Sequence, residues 1–327
     1  MKRRPFFFAV LFVITGQTQW CESAVINNGS AEDYIRQANT RADRGDLEGA
    51  IANFTKALAL DPRSVVAYYS RGVTLQDKGE IERALADYTK VIELDPSYVA
   101  AYVNRAITWK AKGDFEKALA DCNKALALKP SLAEAYYSRG IVFSAQREFD
   151  RAIADFDTAL SIRPQYFRAY VDRGNAWSNK GEIARALDDY AKAIEITPRY
   201  SAAYNGRGAT LAKKGDYENA IADFTKALEL NSHDSLAYND RAYTWFLKGE
   251  WDRAIADYDN CIKFALEFPS AIWLADAYYN RGQAWRAKGE VHRALADARK
   301  ARELDPKQEK YQKLVSELEA EQQRTPQ

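Results

Sequence analysis

The chain has 327 residues, of which 47% are apolar and 28% charged, and this is an ordinary globular composition. Its net charge is +1, so no strongly basic field exists to attract nucleic acid, and we expect no nucleic-acid partner. The two histidines, His233 and His292, have no cysteine or second histidine at ligand spacing. No glycine-rich phosphate-binding loop occurs either, so we expect no metal, no cofactor and no catalytic site.

The N-terminus has the three zones of a secretion signal. Basic residues at 2–4 precede an apolar run at 6–14, and a polar stretch then ends near Ala24. The run is shorter than the roughly 20 apolar residues that a membrane-spanning helix needs. We therefore expect a signal peptide at 1–23 that is removed, a linker at 24–30, and a mature protein that is periplasmic or secreted.

Two alternatives for this segment remain open. The apolar run could be retained as a membrane anchor, which would be the chain's one route to membrane association. A lipid could also be attached at Cys21, although residues 18–20 do not resemble the leucine and small residues expected before a lipidated cysteine.

Glycines then recur with a period of 34 residues. A fixed period in this range is typical of a supersecondary unit copied in tandem, in which each copy buries its apolar face against its neighbours. The periodic glycines are Gly45, Gly79, Gly113, Gly181, Gly215, Gly249 and, after one longer gap, Gly289. The units that they define are 31–64, 65–98, 99–132, 133–166, 167–200, 201–234, 235–274 and 275–308.

Each unit begins with a pattern that predicts a helix, which we call helix A. A tyrosine stands fourth, a glycine or alanine stands four residues later, and a large apolar residue usually follows three residues after that, all on one helical face. The periodic glycine then closes the helix, because it tolerates a left-handed conformation. The tyrosines are Tyr34, Tyr68, Tyr102, Tyr136, Tyr170, Tyr204, Tyr238 and Tyr278.

A second helix, helix B, follows in each unit. In 217–230, for example, Ala220, Phe224 and Ala227 share one face. A proline ends most copies of this helix, because it restricts the preceding residue and cannot donate a backbone hydrogen bond. These prolines are Pro62, Pro96, Pro130, Pro164, Pro198 and Pro306.

The units resemble tetratricopeptide repeats, whose pattern places an aromatic, a glycine and a second aromatic residue in helix A, and alanine, phenylalanine, alanine and proline later. The resemblance implies an all-α fold, a right-handed α-solenoid of eight antiparallel helix pairs with helix A on the concave wall. It also implies a non-enzymatic scaffold that binds peptides or proteins. A capping helix is expected at 309–321, followed by a disordered tail at 322–327.

Two copies depart from the pattern. Copy four has Arg147 where the closing glycine belongs, and we expect a slightly altered turn there. Copy seven is six residues longer, and its insert at 264–273 is rich in large apolar residues. The insert is either an extended helix B that packs on copy eight or a hydrophobic edge for homo-oligomerisation or docking, which substitution of Phe268 and Trp273 would distinguish.

An arginine in helix A is followed sixteen residues later by an aspartate in seven copies. The first copy has the neutral residues Gln37 and Asn53 at the same places, so both positions lose their charge together. We favour a structural ion-pair ladder over a stripe of arginines that binds an anionic ligand, since an inward-facing charge needs a partner. The pairs are Arg71 and Asp87, Arg105 and Asp121, Arg139 and Asp155, Arg173 and Asp189, Arg207 and Asp223, Arg241 and Asp257, and Arg281 and Asp297.

Helix A also carries the residues expected to contact a partner. Asparagine amides can bond to a peptide backbone, and tyrosines supply contact area at little cost in side-chain entropy. Packing against the next copy is the alternative role for each. The expected partner-binding residues are Tyr69, Asn104, Ile107, Tyr137, Asn175, Asn205, Asn239, Tyr243 and Asn280.

The sequence thus predicts a protein-binding scaffold in the cell envelope, with a cytosolic adaptor resembling a cochaperone as the alternative. The identity of the partner is not written in the sequence.

Overall fold

The computed structural model describes residues 29–266 and 273–324, and all regular structure in these ranges is α-helical. Helices A are odd-numbered and helices B even-numbered, and α17 follows the last pair. The helices are α1 (Ala31–Asp43), α2 (Leu47–Leu60), α3 (Val65–Lys78), α4 (Ile81–Leu94), α5 (Val99–Lys112), α6 (Phe115–Leu128), α7 (Ala133–Ala145), α8 (Phe149–Ile162), α9 (Phe167–Lys180), α10 (Ile183–Ile196), α11 (Ser201–Lys214), α12 (Tyr217–Leu230), α13 (Ser235–Leu247), α14 (Trp251–Ala265), α15 (Trp273–Ala287), α16 (Val291–Leu304) and α17 (Glu309–Arg324).

The two helices of a pair are antiparallel. In the second copy, Arg71 bonds to Asp87 and, farther along α3, Leu75 packs in one cluster with Ala84 of α4. Between them, Gly79 has a φ of 85°, the left-handed conformation that closes α3. The predicted all-α solenoid of helix pairs is confirmed.

The chain divides into two compact units, before and after the peptide bond between Ala169 and Tyr170 in α9. Within each unit, helices B pack on the helix A that follows them, as α4 does on α5 and α12 on α13. Helices A of neighbouring copies also contact one another directly, for example α5 with α7 and α13 with α15. We call their exposed side the inner face.

The core of a pair is a ring set against a small residue. Phe156 of α8 is fully buried, and a Cβ built on Gly140 of α7 would lie only 2.6 Å from its Cε1 atom. Gly72 and Tyr88 repeat the arrangement at 2.9 Å. The small residue four places after each tyrosine is therefore required for the two helices to approach closely.

The turn at Arg147 keeps the hydrogen bonds of the glycine turns and differs slightly in its φ, which is below the 77–87° of the periodic glycines. Arg147 has a φ of 63°, and the amide of Glu148 donates to the carbonyl of Phe143 at 2.9 Å. Glu80 and Leu75 make the same bond at 2.9 Å after a glycine. Packing of the flanking helices holds the arginine in a conformation that costs a residue with a Cβ about 1 kcal/mol.

Helix α17 covers the last pair, with Leu314, Val315 and Leu318 packed on Ala294 and Leu295 of α16. It extends three residues beyond the predicted end at 321, so the first half of the predicted disordered tail is helical.

The insert of copy seven is described only at its two ends. Helix α14 is one residue longer than most helices B, and its last residue, Ala265, packs with Leu274 and Ala277 of α15. Phe268 lies outside the described residues, and Trp273 is 46% exposed. A hydrophobic edge for homo-oligomerisation therefore stays a prediction.

Candidate functional site

The structure brings together all seven arginine–aspartate pairs. In each pair, the arginine donates from Nε and Nη2 to the two carboxylate oxygens at 2.6–2.9 Å. In the first copy, Asn53 donates to Gln37 at 3.4 Å instead. Such two-point ion pairs are the strong, directional kind, and they occupy the donors that an anionic ligand would need.

The ladder also joins neighbouring copies. In at least five pairs the remaining nitrogen of the guanidinium, Nη1, donates to helix B of the preceding copy, as Arg105 does to Thr89 at 3.0 Å and Arg241 to Thr225 at 2.9 Å. Each guanidinium also lies near the ring of the repeated tyrosine in its own copy. The guanidinium carbon of Arg105, for example, is 5.8 Å from the ring centre of Tyr102. The arginines therefore hold pairs and copies in register, which is a structural role.

In the first unit, side chains of the inner face pack against one another both within a copy and between copies. The ring centre of Tyr69 is 5.1 Å from that of Tyr98, and the ring of Tyr137 is 4.8 Å from that of Tyr166. Asn104 is fully buried and donates to the hydroxyl of Tyr69 at 2.9 Å.

Two of the expected partner-binding residues are therefore placed differently from the expectation. Asn104 lies between two helices A, and Tyr137 is only 9% exposed because Tyr166, just before the next helix A, covers it. Ile107 is partly buried and packs against the core cluster that contains Val103. Of this group, Tyr69 and Ile107 keep part of their surface exposed.

In the second unit, the expected asparagines bond to neighbouring side chains. Asn175 accepts from the hydroxyl of Tyr190 at 2.7 Å, while Asn205 and Asn239 donate to Asp240 at 3.4 and 3.3 Å. Burial raises the pKa of the Asp240 carboxyl to about 6, and the two amide donors only partly oppose this. Of these bonds, the one between Asn205 and Asp240 joins two copies.

Tyr243 and Asn280 keep exposed surface on the inner face of the second unit. Asn280 is partly exposed, and Tyr243 is 48% exposed. The ring of Tyr243 stacks on Phe246, with the two centres 6.4 Å apart and the planes at 17°. Large exposed aromatic rings of this kind are common at protein interfaces.

A cavity of 590 Å³ lies beside these rings, between α13, α15 and α17. Phe246, Tyr279 and Gln283 line it from helices A, and Lys313 and Leu314 from α17. Its volume is in the range of ordinary ligand sites. The expected partner-binding residues include none of these five, and the sequence pattern assigned α17 only a capping role, so it missed this wall.

The described ranges offer neither a metal cluster nor a membrane span. Within 29–266 and 273–324, no group of three histidine, cysteine, aspartate or glutamate side chains could hold a metal ion. No helix in the same part of the chain has the length and apolarity needed to cross a bilayer. Cys122 and Cys261 are buried and unpaired, and burial raises the pKa of both thiols.

Comparison with solved structures shows the fold. The Cut9–Hcn1 structure of the APC/C hetero-tetramer matches 87% of this chain with a TM-score of 0.67 and 17% identity, and the match spans 55% of that chain. The structure of Pseudomonas aeruginosa pilF matches 68% of this chain and 98% of its own, with a TM-score of 0.56 and 20% identity. The protein TTC0263 of Thermus thermophilus matches 56% and 100%, with a TM-score of 0.50 and 22% identity.

A sequence search among curated proteins finds no match. Family models do match, and together they cover more than half of the chain. Models described as tetratricopeptide repeat match residues 65–98, 133–166, 167–200, 201–234 and 275–308, and a model described as TPR repeat matches 38–79 and 108–147. Repeat length, helix pairing and these matches agree, and the chain belongs to the tetratricopeptide repeat family.

Proposed function

We propose that this protein is a non-enzymatic scaffold of the cell envelope that docks peptide segments of partner proteins on the inner face of its second unit. Tetratricopeptide repeats are protein-interaction modules, and such a stack offers extended binding surface. The observation that carries the proposal is the half-exposed Tyr243 beside the 590 Å³ cavity, on a face whose other aromatic residues are largely covered. An exposed aromatic side chain next to a cavity is the usual core of a binding hot spot.

Site-specific photo-crosslinking in native cells tests the docking surface. A benzophenone amino acid placed at Tyr243 should form covalent adducts with a partner. The matched control is the same probe at Trp251, a 39%-exposed aromatic residue on α14, a helix B. Equal adducts from both positions would show that the inner face has no special role.

The envelope location rests on the basic, apolar and polar zones at residues 1–24. Export with cleavage predicts a mature N-terminus near Ala24, which mass spectrometry of the purified native protein measures. An intact N-terminus in a cytosolic fraction would instead favour the second candidate, a cytosolic adaptor.

A further inference from the structure

We propose that the cavity between α13, α15 and α17 selects an acidic peptide segment that carries a large apolar side chain, and that α17 is one wall of this binding site. The inference rests on the proposed function, because it names the ligand chemistry of the same inner face. It gives the capping helix a role in recognition in addition to its role in covering the core.

The walls of the cavity suit a large apolar side chain. Phe246 and Tyr279 come from two neighbouring helices A, and Leu314 and Ala287 complete an apolar floor. Tyr243, stacked on Phe246, extends the aromatic wall outward. An aromatic or long aliphatic side chain buried here would gain both contact area and ring contacts.

The polar part of the lining is mostly cationic. It contains Arg286, Lys310 and Lys313, and one carboxylate, that of Glu317. Arg286 donates to Glu317 at 2.7 Å and also to Glu321, so its charge is already compensated.

The two lysines of α17 are compensated to different degrees. Lys310 pairs with Asp276 of α15 and lies 5.3 Å from the ring centre of Tyr279. Lys313 pairs only loosely with Glu317, at 4.0 Å, and its side chain is 79% exposed. A ligand carboxylate would therefore find the loosely paired ammonium of Lys313 and, about one helical turn away, that of Lys310, which it would share with Asp276.

This spacing favours acidic side chains over a terminal carboxylate. Lys310 and Lys313 are three residues apart on α17, a rise of about 4.5 Å. Two cations at that spacing can each meet a carboxylate on successive acidic residues, whereas a single chain terminus offers one group. Gln283 can meanwhile bond to the peptide backbone, because its amide both donates and accepts.

Fluorescence anisotropy with the full chain and three labelled, C-terminally amidated peptides tests the proposal. The first peptide is Gly-Asp-Glu-Phe-Asp-Glu-Gly, the second replaces the acids by Asn and Gln, and the third replaces Phe by Ala. The first peptide should bind about tenfold more tightly than either of the others. Its affinity should fall about tenfold when the salt concentration rises from about 0.05 to about 0.5 M. Equal binding of the acidic and neutral peptides would overturn the proposal.

Two variants and two matched controls locate the site. Phe246→Ala and Lys313→Glu should each weaken binding of the first peptide about tenfold. Leu304→Ala, at an exposed apolar residue of α16, and Lys226→Glu, at an exposed lysine of α12, lie on helices B and should leave it unchanged. Circular dichroism confirms that each variant is folded. Unchanged binding in both site variants would contradict the proposal, as would binding only by a free-acid version of the peptide.

The peptide result and the crosslinking result fail independently. If adducts form at Tyr243 but the acidic peptide is not preferred, this ligand chemistry is rejected and the proposed scaffold function stands. Loss of both signals would reject the proposed function as well.

Discussion

The inner faces of the two units carry tyrosines at different repeat positions and with different exposure. In the first unit, Tyr69 and Tyr137 pack against Tyr98 and Tyr166. In the second, Tyr243 is 48% exposed beside the cavity formed with α17. Tyrosine is therefore covered at the fifth position of two copies in the first unit and accessible at the ninth position of copy seven in the second.

At the fifth position of a copy, exposure depends on the residue that precedes the next helix A. Tyr98 and Tyr166 are large enough to cover Tyr69 and Tyr137, the fifth residues of their own copies. Leu132 covers Val103, the fifth residue of copy three, in the same way. In copy six, Asp234 stands at that place and leaves Asn205 to bond with Asp240. Accessibility on a repeat surface thus depends on the neighbouring residues, which vary even when the repeat pattern does not.

The largest effect should separate the two tyrosines. Tyr137→Ala removes a buried ring and should lower the free energy of unfolding by about 3 kcal/mol. Tyr243→Ala removes an exposed ring and should change it by less than about 0.5 kcal/mol. Chemical denaturation, with hydrogen exchange read in α7 and α13, measures both. Similar losses for the two variants would remove the contrast between the units.

The ladder should show no such contrast. Asp121→Ala leaves the partly buried guanidinium of Arg105 without its main partner and should cost about 3 kcal/mol. The double variant Arg105→Gln with Asp121→Asn reproduces the neutral first copy and should cost about 1 kcal/mol, because it leaves no unpaired charge.

The equivalent substitutions at Arg207 and Asp223 provide the matched test in the second unit. Their losses should equal those in the first unit when measured by the same denaturation assay. A double variant as unstable as the single one would show that the ion pair itself is the stabilising feature.

A pH-dependent effect should appear at Asp240. Its folded-state pKa is raised to about 6 by burial, so the folded protein binds the proton more tightly than the unfolded chain. The resulting stabilisation is present below about pH 4 and is lost as the pH rises through about 6. The nearby Asp234 carboxylate strengthens the shift, and the charge of Lys213 opposes it.

Asp240→Asn should therefore stabilise the protein at pH 7–8 by about 1–2 kcal/mol, a figure reduced because the side chain keeps some contact with water. The gain should disappear near pH 4. Denaturation at both pH values measures it, with Asp188→Asn, at an exposed carboxylate of α10, as the control. A gain that is the same at both pH values would contradict the shifted pKa.

The smallest effect should be at the turn of copy four. Arg147→Gly removes the cost of the positive φ and should raise the free energy of unfolding by about 1 kcal/mol. Gln146→Gly, at a φ of −82°, should not raise it. In the second unit, Gly215→Ala at a φ of 87° should lose about the same amount. Thermal unfolding of the three variants provides the comparison, and a destabilised Arg147→Gly would contradict it.

The sequence by itself determined the repeat, the helix pairs and the ladder. The glycine period, the tyrosine column and the spacing of sixteen residues all describe contacts within one copy, such as Arg71 with Asp87. Contacts of this kind recur from copy to copy, so the pattern reveals them through repetition.

Only the tertiary structure decided which inner-face residues stay exposed. In the folded protein Asn104 and Tyr137 are buried, Tyr243 is accessible, and Lys313 of α17 lines the cavity. These outcomes depend on side chains outside the repeat pattern, such as Tyr166 at the end of copy four, and on the capping helix. Such neighbours differ from copy to copy, so no periodic pattern in the sequence can specify them.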